Sequence, residues 1–160
     1  MNDLEKFLQQ MISVRAGMPR SKELKWSCLE ELVLKFGKKY QWQPRPKKFR
    51  RGIPKHCFYN SANLAMRKDN LIYVEGYASM KDIGIALPHA WVVERGTDTV
   101  IDVTTDNFEL YIGIPFSTKY LKQRRKVNPD GWSLLDDWTN DFPLLRAEEQ
   151  EILGFLDRAA

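Results

Sequence analysis

Apolar residues first recur with helical spacing. Leu4, Phe7, Leu8, Met11 and Ile12 fall on one face of a helix that Asn2 or Asp3 can cap and that runs to about Arg15. A second helical pattern covers Ser21 to about Tyr40, with Leu24, Cys28, Leu29, Leu32, Val33 and Phe36 on its apolar side. Glu23, Glu30 and Glu31 come early in it and Lys35, Lys38 and Lys39 late, an order that suits the helix dipole. Residues 41–56, QWQPRPKKFRRGIPKH, break the period. Three prolines and a glycine forbid a regular element, so this is a basic loop. A third helix then opens near Cys57 and runs to about Lys68, with Phe58, Ala62, Leu64 and Ala65 apolar.

Beyond residue 70 the pattern shortens to strands. LIYVEGYA (71–78), HAWVVE (89–94), TVIDVT (99–104) and ELYIGI (109–114) are rich in β-branched and aromatic residues. Arg95-Gly96-Thr97-Asp98 makes a tight turn between the second and third. Ser117 to Lys126 reads as helix and 127–145 as irregular chain turning at Pro129-Asp130-Gly131. Arg146 to Leu156 reads as a closing helix with Ile152, Leu153 and Leu156 facing in. Helices followed by an antiparallel meander predict an α+β fold, with helices packed on a mainly antiparallel sheet. At 160 residues the prediction is one domain, 1–160, with the proline-containing basic loop at 41–56 wrapped on it.

Composition narrows the function. A chain with 43% hydrophobic and 12% aromatic residues is not disordered over most of its length. Two cysteines exclude a disulfide-dense scaffold, and with two histidines a four-ligand zinc site would consume them all. No metal or other cofactor is therefore expected. No apolar run reaches the length of a membrane span, and MNDLEKFLQQ is not an export signal. With two thiols, this points to a reducing cytoplasm. The net charge of +4 is unevenly spread. Residues 1–80 hold 16 Lys/Arg against 7 Asp/Glu, and residues 81–160 hold 9 against 14. A basic face on the N-terminal half would attract something acidic.

One constellation carries chemistry. Cys57 opens a helix, where unsatisfied N–H groups and the positive dipole end favour a thiolate, and Lys55 and His56 stand beside it. Around the 95–98 turn, pairing of Glu94 with Thr99 sets Asp102 opposite Trp91 and His89 opposite Thr104. His89 and Asp102 then share a strand face as diagonal neighbours, roughly 7–8 Å apart between backbones. These three supply a nucleophile, a side chain that titrates near neutrality, and an anion to orient it. Glu75 is an alternative orienting acid. Tyr73, Glu75 and Tyr77 alternate along one strand face as candidate substrate contacts. Asn60, one turn past Cys57, and Trp91, two residues after His89, are further candidates. The backbone N–H of Cys57 is the expected oxyanion donor.

These residues also carry a resemblance. HCFYNSANLA (56–65), then PHAWVV (88–93), then VIDVT (100–104) is similar to the transglutaminase-like branch of the papain-like cysteine enzymes, and small phage and bacterial proteins share this look. In that branch a histidine starts a strand as HAW and a VDPT-type strand follows. Here Val103 stands where proline is frequent, and Phe58 and Tyr59 only loosely match the usual aromatics beside the cysteine. The resemblance implies a papain-like core and Cys57, His89 and Asp102 as catalytic residues. It also implies a thiol protease, another amide hydrolase such as a deamidase, or a transferase, acting on an amide-bearing substrate, and the basic N-terminal half would favour an acidic protein as that substrate. The competing expectation is a non-catalytic protein on the same fold. Its basic loop, through Lys47, Lys48, Arg50, Arg51 and Lys55, would bind nucleic acid or an acidic partner protein.

Overall fold

The computed structural model describes residues 1–159. Its first element, α1 (Asp3–Ala16), is closed by a capping box: Asn2 accepts from the Glu5 backbone and the Glu5 carboxylate accepts from the Asn2 N–H. Leu4 and Leu8 are its buried residues.

The second helical stretch is shorter than its periodicity predicts. Only α2 (Leu29–Phe36) is helical, and residues 38–40 form the strand β1 (Lys38–Tyr40). The reason lies in long-range partners. The Lys25 and Trp26 N–H groups both donate to the Leu145 carbonyl, and the Trp26 indole donates to the Ala147 carbonyl. The Glu31 carboxylate accepts from the Ser27 backbone and hydroxyl and so fixes the start of α2. Tertiary bonds thus replace helical ones before residue 29.

After the 41–56 loop come α3 (Cys57–Arg67), β2 (Leu71–Met80), β3 (Ala86–Glu94), β4 (Val100–Ile101) and β5 (Phe108–Phe116). The chain ends through α4 (Thr118–Val127), a single 3₁₀ turn at Trp138–Asn140, α5 (Pro143–Arg146) and α6 (Glu149–Phe155). The closing helix therefore starts at Glu149, not Arg146. Glu148 and Glu151 form a capping box there, with extended backbone at Ala147 before it.

The five strands form one antiparallel sheet in the order β1-β5-β2-β3-β4. This is α+β, but the strands do not form the simple meander expected. β5 crosses back to lie between β1 and β2. The two edges are drawn together where Gln41 bridges to Thr99: Gln41 N–H donates to Asp98 and Val100 N–H donates to Gln41.

The sheet separates two cores by simple alternation. Tyr73, Tyr77, Ala90, Val92, Ile112 and Ile114 join the helices in the larger core. Ile72, Val74, Ala78, Trp91, Val93 and Tyr111 join Tyr40 and Phe108 in the smaller one. α3 packs against β2 and β3 and buries Ala62 and Ala65, whose small side chains permit close approach. Gly113 has a similar role on the other side, since a methyl group there would sit 2.7 Å from the end of the Trp91 indole. No helix among the described residues is long and apolar enough to cross a membrane.

Candidate active site

Cys57 is the first residue of α3 and is nearly buried. The loop delivers it through a turn in which His56 N–H donates to the Ile53 carbonyl. Pro54 takes the first corner of that turn and Lys55, at φ 64°, the second. Asn60 bolts the turn down. Its side-chain oxygen accepts from the Ile53 N–H at 3.0 Å, and its side-chain NH₂ donates to the Ile53 carbonyl and the Thr104 hydroxyl. Gly52 leaves the room for this, because a Cβ there would strike the Asn60 amide. Asn60 is thus engaged with the loop and the 104 turn.

His89 lies on β3 and Asp102 just past β4. The register Val92↔Ile101 and Val93↔Val100 is the one that pairing across the 95–98 turn requires. His89 Nε2 and Asp102 Oδ2 are 2.6 Å apart, both side chains buried. The strand is shorter than the predicted 99–104. Asp102 Oδ1 accepts from the backbone of Thr104 and Thr105, curling the chain out of the ladder. The Tyr111 hydroxyl donates to Asp102 Oδ2 at 3.1 Å. The Asp102 carboxylate thus meets four donors.

Burial works against both charges, yet it is outweighed. For His89, burial lowers proton affinity, but the hydrogen bond to Asp102, that to Cys57 and the charges of both raise it to about 9. For Asp102, burial raises the value. The His89 hydrogen bond and charge, with the Thr104 and Thr105 N–H groups, bring it below the ordinary aspartate range. A carboxylate can only accept, so His89 Nε2 carries the proton to it, and Nδ1 is the nitrogen left for Cys57.

The other sequence candidates are dispersed. Tyr73 is fully buried and donates to Glu75 Oε2 at 2.7 Å. Glu75 accepts also from the Ser133 hydroxyl and from the Leu134 and Leu135 N–H groups. It anchors the 133–135 segment, and the carboxylate on His89 is that of Asp102. Glu75 and Tyr77 line a cavity of about 280 Å³ with Ser27, Cys28 and Pro88, the residue before His89. Trp91 is wholly buried in the smaller core beside Tyr40 and Tyr111. Cys28 stands at the N-terminal boundary of α2 with no capping bond from its side chain, and burial raises its thiol first of all.

Of the basic residues, Lys48, Arg50 and Arg51 line a separate cleft with Arg67 and Lys68. Lys47 and Lys55 lie outside it. Sequence reasoning missed Tyr111, whose role depends on β5 lying next to β2 and not β4. It also missed Arg67 and Lys68, which end α3 far along the chain from the loop. No protein-family model, curated protein or solved structure matches this chain.

Proposed function

We propose that this chain is a cysteine-dependent acyl-transfer enzyme of the transglutaminase-like, papain-like kind, with Cys57 as nucleophile, His89 as acid and base, and Asp102 as the orienting anion. One observation carries the reading: a buried His89–Asp102 pair at 2.6 Å, with Cys57, at a helix N-terminus, among the groups that raise the histidine's proton affinity. A purely structural ion pair has no need of the cysteine.

An imidazolium beside the sulfur supports the thiolate, the attacking form. Sγ adds to the amide carbonyl carbon and the carbonyl π pair moves to oxygen. The Cys57 N–H, free at the first turn of α3, can donate to that oxyanion. Collapse of the adduct breaks the C–N bond, and His89 passes its proton to the departing amine. The thioester is then attacked by water or by an amine, which gives its proton to His89 as the thiolate leaves. Water makes the chain a peptidase or deamidase; an amine makes it a transglutaminase. Asp102 holds the ring in the tautomer each step needs.

The test is alkylation by iodoacetamide across pH, read at each cysteine by peptide mass spectrometry, with buried Cys28 as internal control. The expected result is reaction of Cys57 at pH about 6, lost in His89→Ala. Reaction of Cys57 only near pH 8.5, or none at any pH, would overturn the proposal.

A further inference from the structure

We infer that the cleft between the basic loop and α3 is a binding site for a phosphate-bearing ligand about the size of a nucleotide. This goes beyond the thiol chemistry and stands whether or not Cys57 reacts.

The cleft holds about 450 Å³, within the usual range of small-molecule sites. Five cations line it, Lys48, Arg50, Arg51, Arg67 and Lys68, and no carboxylate does. The local sequence has none to offer: residues 32–68 contain eleven Lys/Arg and no Asp/Glu. Lys48 pairs with Glu94 at 2.9 Å, and Arg51 pairs with Asp106. Among the described residues Arg50, Arg67 and Lys68 form no ion pair.

Three uncompensated cations converge on one concave wall, whose floor includes apolar Leu64 and Val103. Such a wall concentrates positive potential. Its natural complement carries more than one negative charge at one point. A side-chain carboxylate carries only one. A phosphate monoester carries about −1.5 to −2 on three acceptor oxygens, which guanidinium forks grip in pairs.

Size and shape then limit the ligand. Tyr59 lines the cleft, its ring packed perpendicular to that of Trp132 at 4.7 Å between centroids, and is the aromatic side chain there against which a base could pack. A strand of several nucleotides needs a longer groove than this one. The walls are set in advance, because the Asn60 amide ties the loop to α3 and Thr104. The backbone is thus set before binding, and the ordering left to be done is that of the exposed Arg50, Arg67 and Lys68 side chains. Val103 directly follows Asp102, so an occupant would rest against the loop that holds the dyad.

The experiment is calorimetric titration of the full chain with adenosine monophosphate and, separately, with inorganic pyrophosphate. The expected result is saturable binding of both, weakened about tenfold or more by Arg50→Ala and by Arg67→Ala and partly restored by Lys at the same positions. Cys57→Ala should bind as the parent does, which separates this site from the acyl-transfer reading. Both arginines are at the surface, so an unchanged melting temperature certifies each variant. No saturable binding, or binding that both alanine variants leave intact, overturns the site. Pyrophosphate binding without the nucleotide overturns the assigned size. Tighter binding of an oligoglutamate peptide overturns phosphate as the recognised group, and binding of oligothymidylate alone overturns the single-nucleotide limit.

Discussion

At the scale of single residues, the buried pair makes protonation a structural quantity. The folded protein holds His89 protonated up to about 9, against about 6.5 in an unfolded chain. A raised value stabilises the fold fully below about 6.5, and that contribution disappears as pH rises through about 9. The urea midpoint should therefore fall between these limits, and His89→Gln should flatten that fall. Asp102 has the opposite sign: its lowered value stabilises above about 3.9 and is lost as pH drops further. Asp102→Asn removes the only fixed anion on His89 Nε2 and permits the wrong tautomer. Turnover should drop on the order of 10³- to 10⁴-fold, measured once a substrate is found. Tyr111→Phe deletes one of four donors to Asp102 and should cost only about 1 kcal/mol in stability by denaturant titration. The meeting of His89 and Asp102 is legible in the sequence, because a short turn dictates register and register dictates which side chains share a face. The part of Tyr111 is not, because strand order across a sheet is a long-range choice that no local pattern records.

At the scale of elements, two substitutions probe how the sheet positions the site. Glu75→Gln places an NH₂ among the Tyr73, Ser133, Leu134 and Leu135 donors. It should lower stability by about 1–3 kcal/mol and expose the 133–135 segment to limited proteolysis. The pH profile of Cys57 alkylation should stay as in the parent; a shift would give Glu75 a part in the dyad. Gly113→Ala drives a methyl into Trp91, Val74 and the Glu75 carbonyl, all within 3.0 Å of its Cβ. A loss of about 1–3 kcal/mol is expected by denaturant midpoint. The first helix and α3 follow their periodicity closely. The stretch 21–28 does not: it carries a helical pattern, but the Lys25 and Trp26 N–H groups are claimed by Leu145, more than a hundred residues away, and the Ser27 N–H by the Glu31 carboxylate. Its apolar spacing is a real signal of burial and a false one of conformation. β4 is cut short for a local reason, since the Asp102 side chain that makes the dyad also ends the strand.

At the scale of the whole molecule, charge and topology act together. The imbalance between the two halves of the chain is spatial as well as sequential, because the loop and the end of α3 bring Arg50, Arg67 and Lys68 to one wall. Sequence shows the excess of charge, and only the fold shows where it is concentrated. The seam at Gln41 and Thr99 has a different consequence. A sheet normally ends in two rows of unsatisfied amides and carbonyls that invite other chains to pair. Here the two edges meet at one point, through the Gln41 N–H on Asp98 and the Val100 N–H on Gln41. The seam's contacts, such as Lys38 with Asp98, join positions sixty apart in the chain, whereas the hairpin bearing His89 and Asp102 spans thirteen. Loop closure is entropically harder for the longer span, so the hairpin is expected to form before the seam. Fluctuations should run in reverse, with the Gln41 and Val100 amides exchanging with deuterium well before those in the middle of β2. The stitch that shields the sheet from its neighbours is thus also where the molecule first comes undone.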